Sequence, residues 1–222
     1  MVPPETKMLK QTSLRDMTSE QGVLSRPDGS VSHHQGETAV IAAVYGPAEV
    51  LIRKELVDRA TVELTYIRKS GLPSCRDRAE ECYLSGTCES VILSALHPRT
   101  CIRIIVQELQ DSGSLPSCAI NAACLALLDA AIPLRHLVAG VACIITQEGE
   151  LILDPSLRQE KAARTTMLLA FESENLHVIS SRVHGAVSDE EYQTSVCACR
   201  EASKDIFKFY REAMEKKLNK IV

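Results

Sequence analysis

The sequence predicts an α/β protein with helices on one side of a mixed β-sheet. Short apolar or alternating runs, which are typical of strands, interleave with longer runs of helical periodicity. Glycine and proline separate most of these runs, as expected at turns. A length of 222 residues, with 45% hydrophobic and 24% charged residues, suits a single soluble globular unit. We therefore expect one domain over residues 21–222, preceded by a mobile arm over residues 1–20.

The strands follow from apolar runs and alternation bounded by turn residues. Arg26-Pro27-Asp28-Gly29 is a turn signal and predicts a hairpin, whereas Gly46-Pro47 is expected to end the apolar strand before it. The predicted strands are residues 22–25, 30–33, 39–45, 61–67, 101–109, 141–146, 150–153, 165–171 and 176–181.

Three helices follow from periodicity and from their start and stop signals. They are predicted at residues 77–96, at residues 116–131, and from Ser188 towards the cationic run near the C-terminus. Ser188 and Glu191 have the spacing of a capping box, in which the side chain of each residue bonds the backbone N–H of the other.

Composition excludes several classes of protein. The net charge of −4 argues against a surface that binds polyanions throughout, although local basic patches are compatible with it. No run approaches 18 uncharged apolar residues, and the first residues lack the apolar core of a secretory signal. We expect a protein inside the cell that makes no contact with membranes.

The nine cysteines predict neither disulfides nor a metal site. Their odd number fits no closed disulfide framework, and most lie in apolar periodic segments, where a reduced thiol behaves as a small hydrophobic group. The sequence contains no Cys-x2-Cys pair, and Cys197-x-Cys199 and His33-His34 are isolated. No structural metal is therefore expected.

Gly113 and Ser114 lie directly before an apolar helix, where an oxyanion site can form. A helix N-terminus offers unpaired backbone N–H groups and the positive end of a dipole. The structural alternative is equally available, because glycine permits a tight turn, Ser114 can cap the helix, and Pro116 suits the first helical turn.

Glu160 lies in a charged stretch between two apolar strands, where a carboxylate can act as a general acid. The alternative is a solvated loop without chemistry, since no second carboxylate follows until Glu172.

Four cations crowd a loop and the helix start that follows it, namely Arg68, Lys69, Arg76 and Arg78. Flexible cations in this arrangement can follow a nucleic-acid backbone. The alternative is a solvated loop in which they pair with Asp77, Glu80 and Glu81. Only Tyr66 adds an aromatic ring nearby, so any affinity for RNA would be mostly electrostatic.

Several motifs, taken in order, resemble the RNase PH family. They are Arg26-Pro27-Asp28-Gly29-Ser30, Gln35-Gly36-Glu37-Thr38, Tyr45-Gly46-Pro47, Asp111 to Ser114, Asn121-Ala122-Ala123 and Ala130-Ala131-Ile132-Pro133. The resemblance runs from about Ser13 to the final helix. It implies a two-layer α/β fold of the ribosomal protein S5 domain 2 type.

The resemblance also implies a site that has lost part of its chemistry. Active members hold inorganic phosphate with a Gly-Ser/Thr-Arg turn and supply two aspartates six residues apart, for acid chemistry and a divalent ion. Here the turn is Gly113-Ser114-Leu115, the first acid aligns with Glu160, and the second aligns with Thr166. Losing one preorganised charged contact typically costs on the order of 10²- to 10³-fold in rate. We therefore expect little phosphorolysis and no required cofactor.

The family context implies partners and a location. It implies a six-membered ring of RNase PH-like subunits in the RNA exosome, with a central RNA channel and roles in rRNA maturation and mRNA decay, in the nucleus, the nucleolus and the cytoplasm. Two other hypotheses stay open at this point. One is a weak phosphorolytic 3′-exoribonuclease or a DNA nuclease that acts as a homodimer. The other is a module that only binds RNA.

Overall fold

The computed structural model describes residues 9–11 and 13–221. Within them, ten strands form two five-stranded sheets, accompanied by four α-helices. The strands are β1 (Leu9–Gln11), β2 (Met17–Gln21), β3 (Gly29–Gln35), β4 (Thr38–Glu49), β5 (Thr61–Ile67), β6 (Thr100–Gln110), β7 (Val138–Ile145), β8 (Leu151–Leu153), β9 (Thr165–Glu172) and β10 (Val178–His184). The helices are α1 (Cys75–Val91), α2 (Leu115–Asp129), α3 (Leu157–Ala162) and α4 (Asp189–Ile221).

Both sheets are mixed. The first sheet has the order β1-β8-β7-β9-β10, and the second has the order β2-β3-β4-β6-β5. The β1–β8 and β5–β6 pairs are parallel, and the other neighbours are antiparallel. The predicted α/β class is therefore confirmed. The predicted single mixed sheet with helices on one side is wrong, because the strands divide into two sheets and α2 packs against both.

Helix α2 lies between the two sheets. Every residue from Leu115 to Leu127 is buried except Pro116. The helix packs against β3 and β4 of the second sheet and against β7 of the first. A helix that is apolar on all sides is typical of a fully buried position. Its place at the centre of the core brings its N-terminus to one end of the protein, where the candidate site lies.

Helix α4 covers the first sheet and is joined to α2 by polar contacts in the core. The Tyr210 hydroxyl donates to Asn121 Oδ1 at 2.9 Å and to the Val138 carbonyl at 3.1 Å. Asn121 also bonds both backbone groups of Gly140 on β7. These bonds satisfy polar atoms that would be costly to bury alone. At the start of α4, the Ser188–Glu191 capping box is confirmed, because each side chain accepts the backbone N–H of the other residue.

The predicted hairpin exists, but its first strand begins earlier in the chain. Strand β2 pairs with β3 from Met17 opposite Gln35 to Gln21 opposite Val31, so residues 22–25 form the connection instead. Gly22 ends β2 with a φ of 70°, a conformation that favours glycine, and its N–H donates to the Ser30 carbonyl.

The predicted arm therefore contributes a strand to the second sheet, and Met17 packs against the core, contrary to the expectation that the arm adds little there. Its mobility stays a prediction, and residues 1–8 and 12 lie outside the described residues.

Two predicted boundaries are wrong. Strand β4 continues through Gly46-Pro47 to Glu49, because a register shift between Tyr45 and Ala48 accommodates the pair while β4 stays bonded to β6. Helix α1 ends at Val91 rather than at Leu96, and Ser94–Leu96 form a short 3₁₀ turn.

His33 on β3 is a buried polar group with a predictable effect on stability. Its side chain is 0% exposed, and neither ring nitrogen has a well-aligned hydrogen-bond partner among the described residues. Burial, with a smaller contribution from His34, lowers the pKa of His33 from 6.5 to about 4. The imidazole is therefore neutral in the folded protein at neutral pH, and protonation favours the unfolded chain.

We expect the contribution of His33 to the free energy of unfolding to be constant above pH 6.5 and to fall as the pH drops from 6.5 towards 4. The shift corresponds to a loss of roughly 3 kcal/mol at the acid end. Urea unfolding at a series of pH values measures it. His33→Leu is expected to flatten this part of the curve, whereas His177→Gln, at an exposed histidine, serves as the control. An unchanged slope in His33→Leu would contradict the assignment.

Candidate anion site and cleft

The turn between β6 and α2 is shaped by close backbone approach. Gly113 has a φ of 107°, and a Cβ placed on it would lie 2.5 Å from both the Leu157 nitrogen and the Pro155 oxygen. Only glycine fits such a position without a shift of the neighbouring backbone. The turn is therefore held against the segment that connects β8 to α3.

A largely buried ion pair between Arg15 and Asp154 holds this turn in place. The Arg15 guanidinium bonds both carboxylate oxygens of Asp154, with Nε to Oδ2 at 2.9 Å and Nη2 to Oδ1 at 2.6 Å. Arg15 Nη2 also donates to the Gly113 carbonyl at 3.1 Å, and the Thr38 hydroxyl donates to the same carbonyl at 2.7 Å. Because Asp154 is 2% exposed, the bidentate pair is shielded from solvent.

Ser114 does not cap α2 with its side chain, so the structural alternative is wrong on this point. Its hydroxyl donates instead to the Pro155 carbonyl at 3.0 Å. Its backbone N–H donates to Glu160 Oε1 at 2.7 Å. The backbone N–H at the start of α2 is therefore hydrogen-bonded to the carboxylate of a residue 46 positions further along the chain.

Glu160 lies on α3 rather than in a solvated loop. A capping box starts this short helix, with the Ser156 backbone N–H donating to Gln159 Oε1 at 2.8 Å. The Glu160 N–H bonds the Ser156 carbonyl, which completes the turn. The helix places the Glu160 side chain in a half-buried position facing the start of α2.

Burial raises the pKa of Glu160 above its ordinary value, and the nearby Asp111 carboxylate adds to this rise. The hydrogen bond from Ser114 N–H and the charges of Arg15 and Arg76 lower it, but they offset only part of the rise. The ionised side chain is therefore held at a net cost in free energy.

The cleft beside this turn has a volume of about 450 Å³. Leu115 and Thr166, the residues at the two positions that carry charge in active members of the resembled family, both line it. Among the predicted cations, Arg68 and Arg76 line the cleft, whereas Lys69 and Arg78 do not. Leu115, Glu160 and half of the predicted basic cluster thus line one cleft, whereas Gly113 and Ser114 lie behind it, with Ser114 fully buried.

Two further cations of the cleft, Lys161 and Arg182, and one histidine, His184, were missed by sequence reasoning. Arg182 ion-pairs with Glu80 on α1 and lies 5.0 Å from the centre of the Tyr83 ring. His184 pairs with Thr166 across β9 and β10, which brings it to the cleft. Arg182 and His184 are far along the chain from the predicted site residues and so left no local signal, whereas Lys161 directly follows Glu160 and was overlooked.

One of the four cations, Arg68, forms an ion pair of the kind expected for a solvated loop. Arg68 Nε lies 2.5 Å from Asp77 Oδ1, and Asp77 also caps α1 through the Ser74 backbone N–H at 2.8 Å. The side chains of all four predicted cations are exposed.

The described residues contain no group of three or more His, Cys, Asp or Glu side chains placed to hold a metal ion. In the same part of the chain, none of the helices combines the length and the apolarity needed to cross a membrane.

The raised pKa of Glu160 predicts that Glu160→Gln is more stable than the wild type at neutral pH. A folded-state pKa above the unfolded value means that stability is lost as the pH rises through the folded pKa. Glutamine keeps an oxygen for the Ser114 N–H and carries no charge. The gain is about 1.4 kcal/mol for each unit by which folding raises the pKa.

Urea unfolding of both proteins from pH 4 to pH 8 measures this gain. The two stabilities should converge in acid, where Glu160 is protonated. A variant that is less stable than the wild type at pH 8 would show that the hydrogen bond outweighs burial.

Residues 13–133, more than half of the chain, match the RNase PH family, described as the 3′ exoribonuclease family, domain 1. A protein of Arabidopsis thaliana named "Exosome complex exonuclease RRP46 homolog" is 34% identical, covering 93% of this chain and 94% of its own.

Two solved structures are also similar to this chain. The crystal structure of rice (Oryza sativa) Rrp46 is 33% identical with a TM-score of 0.88, covering 92% of this chain and 96% of that chain. The exosome of Archaeoglobus fulgidus, solved with RNA bound to the active site, shares the fold at 15% identity and a TM-score of 0.77, covering 90% and 89% of the two chains. The predicted family is thus confirmed: this chain belongs to the RNase PH family.

Proposed function

We propose that the protein is a non-catalytic subunit of the RNA exosome. It joins other RNase PH-like subunits in a six-membered ring and supports 3′-to-5′ RNA processing and degradation through assembly and contacts along the RNA path. The Arabidopsis relative, named as an exosome protein and matched over nearly its full length, supports membership of the exosome, while its name also calls it an exonuclease and so does not support the non-catalytic part. The rice Rrp46 structure supports the shared fold. We extend the proposal to rRNA maturation and mRNA decay, in the nucleus, the nucleolus and the cytoplasm.

One observation carries the non-catalytic part of the proposal. The amide at the start of α2 already bonds Glu160, and the next side chain, Leu115, is apolar and buried. A tetrahedral oxyanion there would meet a carboxylate instead of an arginine fork. Thr166 supplies no acid at the second position, and the other carboxylates that line the cleft, Asp111 and Glu80, bond the Gly113 N–H and Arg182 instead. The proposed role requires neither phosphate nor a divalent ion.

The contribution to the RNA path rests on exposed cations. Arg68, Lys69, Arg76 and Arg78 lie on the loop before α1 and on its first turn, and Arg68 and Arg76 reach the cleft. Since Tyr66 is the only aromatic side chain lining the cleft among the described residues, stacking contributes little. Binding is then mostly a matter of counterion release.

A second candidate function is a weak phosphorolytic 3′-exoribonuclease or DNA nuclease that acts as a homodimer. The raised pKa of Glu160 favours it, because a carboxylic acid that keeps its proton to a higher pH than usual is better suited to general acid catalysis. The strands β5 and β10 at the sheet edges could contribute to a contact between two copies.

Incubation of the purified protein with 3′-labelled RNA, with and without inorganic phosphate, tests the non-catalytic proposal. We expect no phosphate-dependent release of nucleoside diphosphates above a blank without protein. Glu160→Gln is the matched control, since it keeps the size of the side chain and removes the acid. Release that depends on phosphate and disappears in Glu160→Gln would establish the enzyme instead. The same pair of proteins, tested on DNA, examines the nuclease alternative.

Charge reversal within α1 tests the RNA contacts. Arg76 lines the cleft, whereas Arg78, two residues away on the same helix, lines a separate groove with Lys54 and Glu89. We expect Arg76→Glu to weaken RNA binding and to lower the salt slope of the affinity by about 1. Arg78→Glu is the matched control and should change both quantities less. Equal losses in the two variants, measured by fluorescence anisotropy over a salt series, would show that the cleft does not direct the RNA.

A further inference from the structure

The loop between β5 and α1, residues 68–74, is open to solvent along its whole length. Every residue of the loop is exposed, and none belongs to a helix or a strand. Leu72 is 93% exposed, and a Cβ placed on Gly71 would meet no atom within 4 Å. Another protein can therefore bind this loop in an extended form without breaking regular secondary structure.

Ser70, in the middle of the loop, has a hydroxyl group that is available for reaction. The hydroxyl makes no hydrogen bond to another of the described residues. By contrast, the hydroxyl of Ser74 in the same loop donates to Asp77 Oδ2 at 2.9 Å and accepts the Asp77 N–H. Two cations, Arg68 and Lys69, directly precede Ser70. Protein kinases that carry acidic residues in the substrate groove select serines in such a context, because opposite charges favour the correct substrate.

We propose that Ser70 is a phosphorylation site for a kinase that recognises basic sequences, and that its phosphate weakens the contacts of the loop with RNA. In the transfer, a bond forms between Ser70 Oγ and the γ-phosphorus of ATP, the bond to the ADP oxygen breaks, and the hydroxyl proton passes to a base of the kinase. The effect on RNA rests on the proposed function, because it concerns cations that we assign to the RNA path.

The structure separates Ser70 from the other hydroxyl groups in a similar sequence context. A serine or threonine also follows an arginine by one to three positions at Thr18, Thr61, Thr100, Thr165, Thr166 and Ser203. All of these residues lie inside strands or in α4, and Thr165 and Ser203 are also buried. Of this set, Ser70 alone lies outside a helix or strand.

Thr18 shows why an exposed hydroxyl is not sufficient. The residue is exposed, but it lies in β2, which is paired with β3 along its whole length. Arg15, three positions before it, is held by Asp154 in a largely buried ion pair. A kinase would have to break this pair before it could bind the arginine, whereas the cations before Ser70 are exposed.

A phosphate on Ser70 would make the loop nearly neutral. Phosphoserine carries a charge of about −1.5 to −2 at pH 7, which offsets the charges of Arg68 and Lys69. Lys69 has no carboxylate partner among the described residues, so it is available to pair with the phosphate. Arg68 pairs with Asp77, and the phosphate oxygens would compete with this carboxylate. Cations that are neutralised within the protein release fewer counterions from RNA.

Phosphorylation of the purified protein tests the site. The protein is incubated with ATP and an Aurora-type kinase, which selects arginine two positions before its target, and the modified residue is identified by mass spectrometry. We expect phosphate on Ser70 in the wild type and none at this position in Ser70→Ala. Thr18→Val is the matched control and should be modified on Ser70 as the wild type is. Absence of phosphate from Ser70 in the wild type would overturn the inference.

Fluorescence anisotropy with single-stranded RNA over a salt series tests the effect. We expect the phosphorylated protein to bind more weakly and its salt slope to fall by about 1.4, since each of the two neutralised cations accounts for about 0.7 with a single strand. Treatment with a phosphatase should restore both quantities. Ser70→Ala incubated with the kinase is the control and should bind RNA as the untreated wild type does.

The Arg76→Glu variant distinguishes failure of this inference from failure of the proposed function. Unchanged RNA binding after phosphorylation of Ser70, together with weaker binding by Arg76→Glu, would overturn the inference and leave the proposed RNA contacts intact. If neither change affects RNA binding, both the inference and the proposed RNA contacts are wrong.

Discussion

The bidentate contact between Arg15 and Asp154 is the interaction on which the candidate site depends. It joins the segment before β2 to the end of β8, and through the Gly113 carbonyl it also holds the turn that starts α2. A buried pair of this kind stabilises only when its remaining hydrogen-bonding groups are satisfied, and here the Arg15 backbone N–H supplies a further donor to Asp154. Removal of one partner would leave an uncompensated charge beside the core helix. The geometry of the anion turn is thus tied to the stability of the fold.

The residues of the turn divide into those that the fold requires and those that only chemistry requires. Gly113 belongs to the first group, because a side chain there would collide with the backbone of residues 155–157. Position 115 belongs to the second group, since Leu115 packs at the edge of the core without any polar contact. A chain can therefore exchange a phosphate-binding cation for an apolar residue while it keeps the backbone of the site. This separation accounts for the non-catalytic role that we propose, in which the backbone of the turn is kept without a charged side chain at position 115.

Local sequence signals located the elements well where propensity and packing agree. Thr61–Ile67 was predicted as a strand with the observed bounds, because its alternation reflects a single buried face. The core helix was found by its apolar run, although its bounds shifted to Leu115–Asp129. The strand predicted at residues 22–25 was misplaced, because the turn signal marks the connection but does not fix which preceding residues pair.

Contacts between residues far apart in the sequence could not be predicted from the sequence alone. Arg15 and Asp154 are 139 positions apart, and neither has a neighbour that indicates the other. The bond from Ser114 to Glu160 spans 46 positions and exists only because α2, α3 and the second sheet place the two ends together. From the sequence, Glu160 is expected to be the first of two catalytic acids, with the second one missing. In the fold its partner is an amide, because the Ser114 N–H at the start of α2 donates to its carboxylate. Whether it can also transfer a proton depends on a competition between burial, which retains the proton, and the Ser114 N–H, which favours the charge.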